Sequence, residues 1–201
     1  MDKFRNKYRI TSARLKNWDY GTDASYFITC CTLNRICYFG DVENREMKCS
    51  EVGQLADQFL LEIPERYEYA KLDARIVMPN HVHVIITIDK SDYNAPGTDA
   101  INRTDAINRT DAINRTDAIN RVSNNENQKQ RGGITGNHNP MIHENISRIM
   151  NWYKGRVTYE SRKINPNFDW QKRFHDHIIR TQPDFERIAK YIENNPRNWG
   201  E

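Results

Sequence analysis

The spacing of apolar residues along the chain changes several times, and each change marks an element. Tyr26–Leu33 (YFITCCTL) is a short run rich in β-formers and reads as a strand. Ser50–Ile63 has a capping serine followed by apolar Val52, Leu55, Phe59 and Ile63, a helical period closed by Pro64. Tyr69–Met78 alternates, as does the HVHVIITI run that begins at His81, and the Pro79-Asn80 dipeptide between them suits a tight hairpin turn. Ile142, Ile146, Ile149, Met150 and Tyr153 mark a second amphipathic helix. Phe174–Arg180 (FHDHIIR) reads as a fourth strand, and Pro183–Asn195 as a last helix with proline in its first turn and Pro196 just beyond it. The order β-α-β-β-α-β plus a C-terminal helix predicts an α+β, ferredoxin-like split βαβ fold. Its antiparallel sheet carries helices on one face, and the last helix is an addition to that plan.

Between the third strand and the second helix the patterning stops. Ser91–Pro140 contains no Leu, Met, Phe or Trp, and residues 98–121 repeat TDAINR four times. A period of six turns the Ala-Ile pair through 240° per repeat on a helix, so no apolar stripe accumulates. Residues 91–140 therefore read as a flexible low-complexity insertion in one domain spanning 1–201.

Composition narrows the class. The 201 residues are 37% hydrophobic and 10% aromatic, enough for a core, and no apolar run is long enough to cross a bilayer. A cytoplasmic protein with no membrane partner is expected. Cys30, Cys31, Cys37 and Cys49 form no CxxC pair, so they read as reduced thiols. Net charge is only +3, but residues 1–20 hold six Lys/Arg against two acidic residues, and residues 141–201 hold eleven against eight. Both basic ends are interleaved with aromatics, a pattern suited to phosphate contact and base stacking. Arg14, Lys16, Arg148, Lys154, Arg156 and His177 are the candidate DNA-binding residues.

Two sets of side chains carry possible chemistry. His81 and His83 are two apart in a strand, so both imidazoles leave the same face, and paired neutral imidazoles are half of a metal site. His175 and His177 form a rival pair with Asp176 between them. On the last helix Tyr191 and Asn195 are four apart and share a face, which offers a phenol and a carboxamide oxygen together. Tyr153 and Tyr159 lack such a companion, having Val157 and Lys163 at that spacing.

At these residues the chain resembles a known family. MPNHVHVIITI is similar to the His-hydrophobe-His strand of HUH-type single-tyrosine transposases of the insertion-sequence 200/605 group, and above all to their REP-associated tyrosine transposase branch. RLKNWDYGTDASYFITCCTLNR, WQKRFHDHIIR and YIENNPRNW extend the likeness over nearly the whole chain outside 91–140. The resemblance implies that His81, His83 and Asn195 hold a divalent metal, Mg²⁺ or Mn²⁺, and that Tyr191 is the catalytic nucleophile. It implies a metal-dependent endonuclease and strand transferase acting on single-stranded or hairpin DNA through a 5′-phosphotyrosine link, as a monomer or homodimer. The alternative is a domesticated relative that binds hairpin DNA without cutting it. Asn195 stands where insertion-sequence members tend to carry Gln, and the repeat tract is a second departure.

Overall fold

The computed structural model describes residues 18–91, 93 and 144–200. Arg14, Lys16, Ile142 and the TDAINR tract lie outside them.

Four antiparallel strands form the main sheet. Their ranges are β1 Ala24–Cys31, β4 Ala70–Met78, β5 His81–Ile88 and β6 His175–Ile179, in the order β4-β5-β1-β6. This is the ferredoxin-like order that the sequence pattern implies. Helices α1 (Glu51–Leu61) and α3 (Ile146–Ile164) cover one face, and a four-residue helix α2 (Ile63–Arg66) follows α1. Strand alternation explains which face is which. Tyr26, Ile28 and Cys30 of β1 and Val82, Val84, Ile86 and Ile88 of β5 point into the main core. There they meet Val52, Ala56, Phe59 and Leu60 of α1 and Ile146, Ile149, Met150, Tyr153 and Val157 of α3.

The helices begin where their caps stand. Ser50 Oγ accepts the Gly53 amide at 3.1 Å, and Asn145 Oδ1 accepts those of Ser147 and Arg148 at 2.9 and 3.2 Å. Pro64 sits in the first turn of α2, so α1 ends at Leu61 and the chain restarts as a new helix.

The remaining residues of β1, β5 and β6 point the other way, and the final helix α4 (Gln182–Asn194) covers that second face. Ile188 and Ile192 of α4 pack with Ile85 and Ile179, flanked by Phe27, Ala74 and Ile76. A small hairpin, β2 (Gly40–Glu43) and β3 (Glu46–Cys49), stands apart from the sheet. Its turn residues Asn44 and Arg45 both have positive φ, 52° and 65°, as the commonest two-residue hairpin turn requires. Among the described residues no helix is long and apolar enough to cross a membrane.

Candidate active site

The period-two pattern of β5 sends His81 and His83 to the face that α4 covers. Both are buried, at 8% and 5% exposure. Their rings lie 4.5 Å apart, centroid to centroid. β1 runs alongside with Thr29 opposite His83 and Cys31 opposite His81. Thr29 Oγ1 lies 2.8 Å from His83 Nδ1. On His81 the carboxamide of Asn80, in the hairpin turn, places Oδ1 2.9 Å from Nδ1. The Asn80 Nδ2 group is engaged separately, donating to the Arg35 carbonyl at 3.2 Å. Oδ1 must then face the histidine, so His81 Nδ1 carries the ring proton and Nε2 keeps its lone pair.

Helix α4 delivers the other two residues. Its Thr181 cap and Pro183 fix its start, and its apolar residues fix its roll against the sheet. Tyr191 then stands over β5 with its hydroxyl 3.4 Å from His83 Nε2. The Phe27 ring meets Tyr191 edge-on at 6.2 Å and lies 5.2 Å from His83. Asn195 is the C-cap of α4 and keeps helical angles (φ −56°, ψ −41°), so it remains one turn beyond Tyr191. Its side chain is buried and acts on His81, whose protonated form it favours. The chain then turns through Asn195–Asn198 and brings Trp199 to 5.9 Å from His81. Four residues from two distant segments thus meet at one place. Three are buried, while Tyr191 is 47% exposed.

Electrostatics keep the imidazoles neutral. Burial pulls His81 down to about 4, helped by the charge of Arg35 and opposed by the Asn195 side chain. His83 is pulled down to about 3 by burial, by His81 and by Arg35. At neutral pH both therefore hold lone pairs, which is the form a metal binds. Among the described residues no three His, Cys, Asp or Glu side chains gather into a metal-binding group. The cluster here has two imidazoles and an amide, a neutral donor set that fits a divalent ion with coordination positions left for anionic oxygens.

The other sequence candidates divide. His177 pairs with Phe27 across β1, and His175 with Thr29, so the rival pair leaves the same sheet face as His81 and His83, though exposed. Arg148, Lys154 and Arg156 belong to α3, on the opposite layer from Tyr191. The Lys154 ammonium donates to the carbonyls of Gln171 and Arg173 at 2.7 and 2.8 Å, and Arg156 pairs with Glu160 at 3.3 Å. Tyr153 is fully buried and donates to the Ala56 carbonyl at 3.1 Å, which leaves it no access to a substrate. Thr29, Asn80, Phe27, Arg35 and Trp199 were not marked by sequence spacing. They become visible only through strand register and the path of the chain after α4.

Comparison with known proteins agrees with this architecture. No family model matches the chain. An uncharacterised protein of Haemophilus influenzae is 29% identical over 192 residues, covering 94% of this chain and 88% of its own length. Among solved structures, that of a REP-associated tyrosine transposase bound to a REP hairpin superposes with a TM-score of 0.54. The match has 16% identity and spans 94% of this chain and 75% of the other. At that identity the likeness establishes a shared fold.

Proposed function

We propose that the protein is a metal-dependent endonuclease and strand transferase for single-stranded or hairpin DNA, with Tyr191 as its nucleophile. The observation that carries this reading is the meeting of the half-exposed Tyr191 hydroxyl, 3.4 Å from His83 Nε2, with two buried neutral imidazoles and the Asn195 amide. The fold neighbour, solved with a REP hairpin, is consistent with it.

His81 and His83 through Nε2, and Asn195 through Oδ1, would hold Mg²⁺ or Mn²⁺. When bound, such an ion polarises a non-bridging phosphate oxygen and neutralises charge developing there. The chain itself performs the rest. Thr29 and Asn80 hold the two imidazoles in orientation by their Nδ1 atoms. Phe27 and the turns of α4 hold the phenol at the solvent edge, where an extended strand can reach it. The Tyr191 Oη attacks phosphorus, the P–O3′ bond breaks, and the phenolic proton is balanced by the one taken up at the departing 3′-oxygen. The product is a 5′-phosphotyrosine, in which the phosphodiester's energy is retained, so a 3′-hydroxyl can reverse the step and join strands. A phenol ordinarily titrates near ~10, so activation at the phosphorus matters more than a free phenolate.

Incubation with fluorescent hairpin oligonucleotides bearing randomised single-stranded flanks, in Mn²⁺, should give a covalent adduct that peptide mass spectrometry maps to Tyr191. Tyr191→Phe should abolish it while melting temperature and DNA binding persist. His81→Ala or His83→Ala should lose cleavage and Mn²⁺ affinity together, and Asn195→Ala should lose less, since water can replace a neutral ligand. An adduct on Tyr159, or one that survives Tyr191→Phe, overturns the assignment. Hairpin binding with no adduct favours the non-catalytic binding reading.

A further inference from the structure

The turn after β1 is built with more care than a surface connection needs. Asn34 and Arg35 both have left-handed backbones, φ 55° and 57°, which residues with a Cβ disfavour. Several bonds hold them there. The buried Thr32 donates its amide to the Asn80 carbonyl at 2.9 Å, and its hydroxyl lies 2.7 and 3.0 Å from the carbonyls of Ile36 and Asn80. The Asn80 carboxamide then reaches the Arg35 carbonyl with one end and the His81 ring with the other, at 3.2 and 2.9 Å. One side chain thus ties the arginine's main chain to a residue of the candidate active site.

Arg35 is exposed, and its guanidinium makes no ion pair or hydrogen bond among the described residues. Its main chain is held one carboxamide away from His81, so the side chain starts beside the candidate site, and in keeping with this its charge lowers both His81 and His83. Leu33 and Ile36 beside it are 40% and 45% exposed, an unusual display of apolar surface on so short a turn. Among the described residues this cation has no partner, and its left-handed main chain is held one side chain away from a buried, neutral imidazole.

We propose that Arg35 is the phosphate-binding residue of this site: its guanidinium takes the non-bridging oxygens of the phosphodiester that Tyr191 attacks, with Leu33 and Ile36 against the adjoining nucleotide. This rests on the DNA-cleaving reading above. The planar fork of donors matches two phosphate oxygens at once, and a donor fixed before the reaction stabilises charge without reorganising. It supplies the positive charge that the neutral protein ligands of the site do not.

The test uses the full chain and the hairpin pool described above, followed by the sequence found to be cut. Arg35→Ala should slow single-turnover adduct formation by roughly 100-fold or more, with Arg35→Lys recovering part of the loss. Arg35→Gly should be as slow while its melting midpoint stays within about 2 °C of wild type, because glycine suits a φ of 57°. A methylphosphonate at the cut position removes the anionic oxygen, so wild type and Arg35→Ala should there react within about threefold of each other, the mutational effect on the natural phosphate having been roughly 100-fold. Wild-type rates for Arg35→Ala, or interference that appears only when the methylphosphonate is one nucleotide away, overturn this proposal alone. No adduct from the wild type overturns it together with the cleavage reading.

Discussion

At the scale of single residues, the histidine pair trades stability for readiness. An imidazole in an unfolded chain takes a proton near ~6.5, whereas burial holds His81 and His83 to about 4 and about 3. Between these values the unfolded state binds more protons, so stability rises with pH across that window and is lost as pH falls from about 6.5 towards 4. In chelator, the metal-free protein should lose on the order of 2–4 kcal/mol between pH 7 and pH 5 by urea unfolding. A His81→Gln, His83→Gln double variant should show a flatter profile over the same interval. If both proteins have equal slopes, the imidazoles are not held neutral by the fold. Thr29 and Asn80 belong to the same picture, since each bonds an Nδ1 and so engages the ring through that nitrogen alone.

At the scale of elements, Lys154 shows how position changes the meaning of a basic residue. Read from sequence it is a cation on a basic, aromatic helix. In the structure it reaches sideways to the Gln171 and Arg173 carbonyls and lies 5.6 Å over the Trp170 ring. Arg173 has a φ of 74°, so this amine fastens a strained lead-in to β6. Lys154→Met should therefore cost about 1–3 kcal/mol of stability by leaving two carbonyls poorly satisfied, without changing the salt dependence of DNA binding. A shallower salt slope with an unchanged melting temperature would return it to the DNA interface. Elements with a strong period were legible in the chain itself: the β4-β5 hairpin, both sheet-covering helices and α4 follow from alternation, caps and prolines. The β2-β3 hairpin was not, because its four-residue strands bury no residue fully and their alternation, with Val42 and Met47 half-buried between charged neighbours, is too short to stand out as a period. The site was half legible. Local periodicity places His81 beside His83 and Tyr191 above Asn195, but the crossing of α4 over β5 depends on Ile85, Ile179, Ile188 and Ile192 packing together. The same limit hid Arg35, whose importance lies in a turn held by Asn80, 45 residues away in sequence.

At the scale of the whole molecule, β5 and α3 are separated in sequence by residues 89–145, which include the TDAINR repeat. The described residues on either side of it are tied together. Lys90 donates to the carbonyls of Gly21 and Glu144, each at 2.8 Å, and Tyr93 donates to the Glu144 carboxylate at 2.9 Å. Lys90 also lies 5.5 Å over the Tyr69 ring. The two ends therefore meet at a clasp on the edge of the core. Loop entropy changes only by about 0.6 kcal/mol for each doubling of length, so shortening the tract should alter stability by less than that. We expect replacement of Thr98–Arg121 by a six-residue Gly/Ser linker to move the thermal midpoint by less than about 5 °C. Adduct formation at Tyr191 should persist in the shortened protein. Lys90→Met should be the more damaging change, since it leaves two carbonyls without their shared donor and loosens the clasp on both sides. A fall well beyond 5 °C on shortening, with Lys90→Met nearly silent, would mean that the repeat tract itself packs on the domain and holds the third strand to the second long helix.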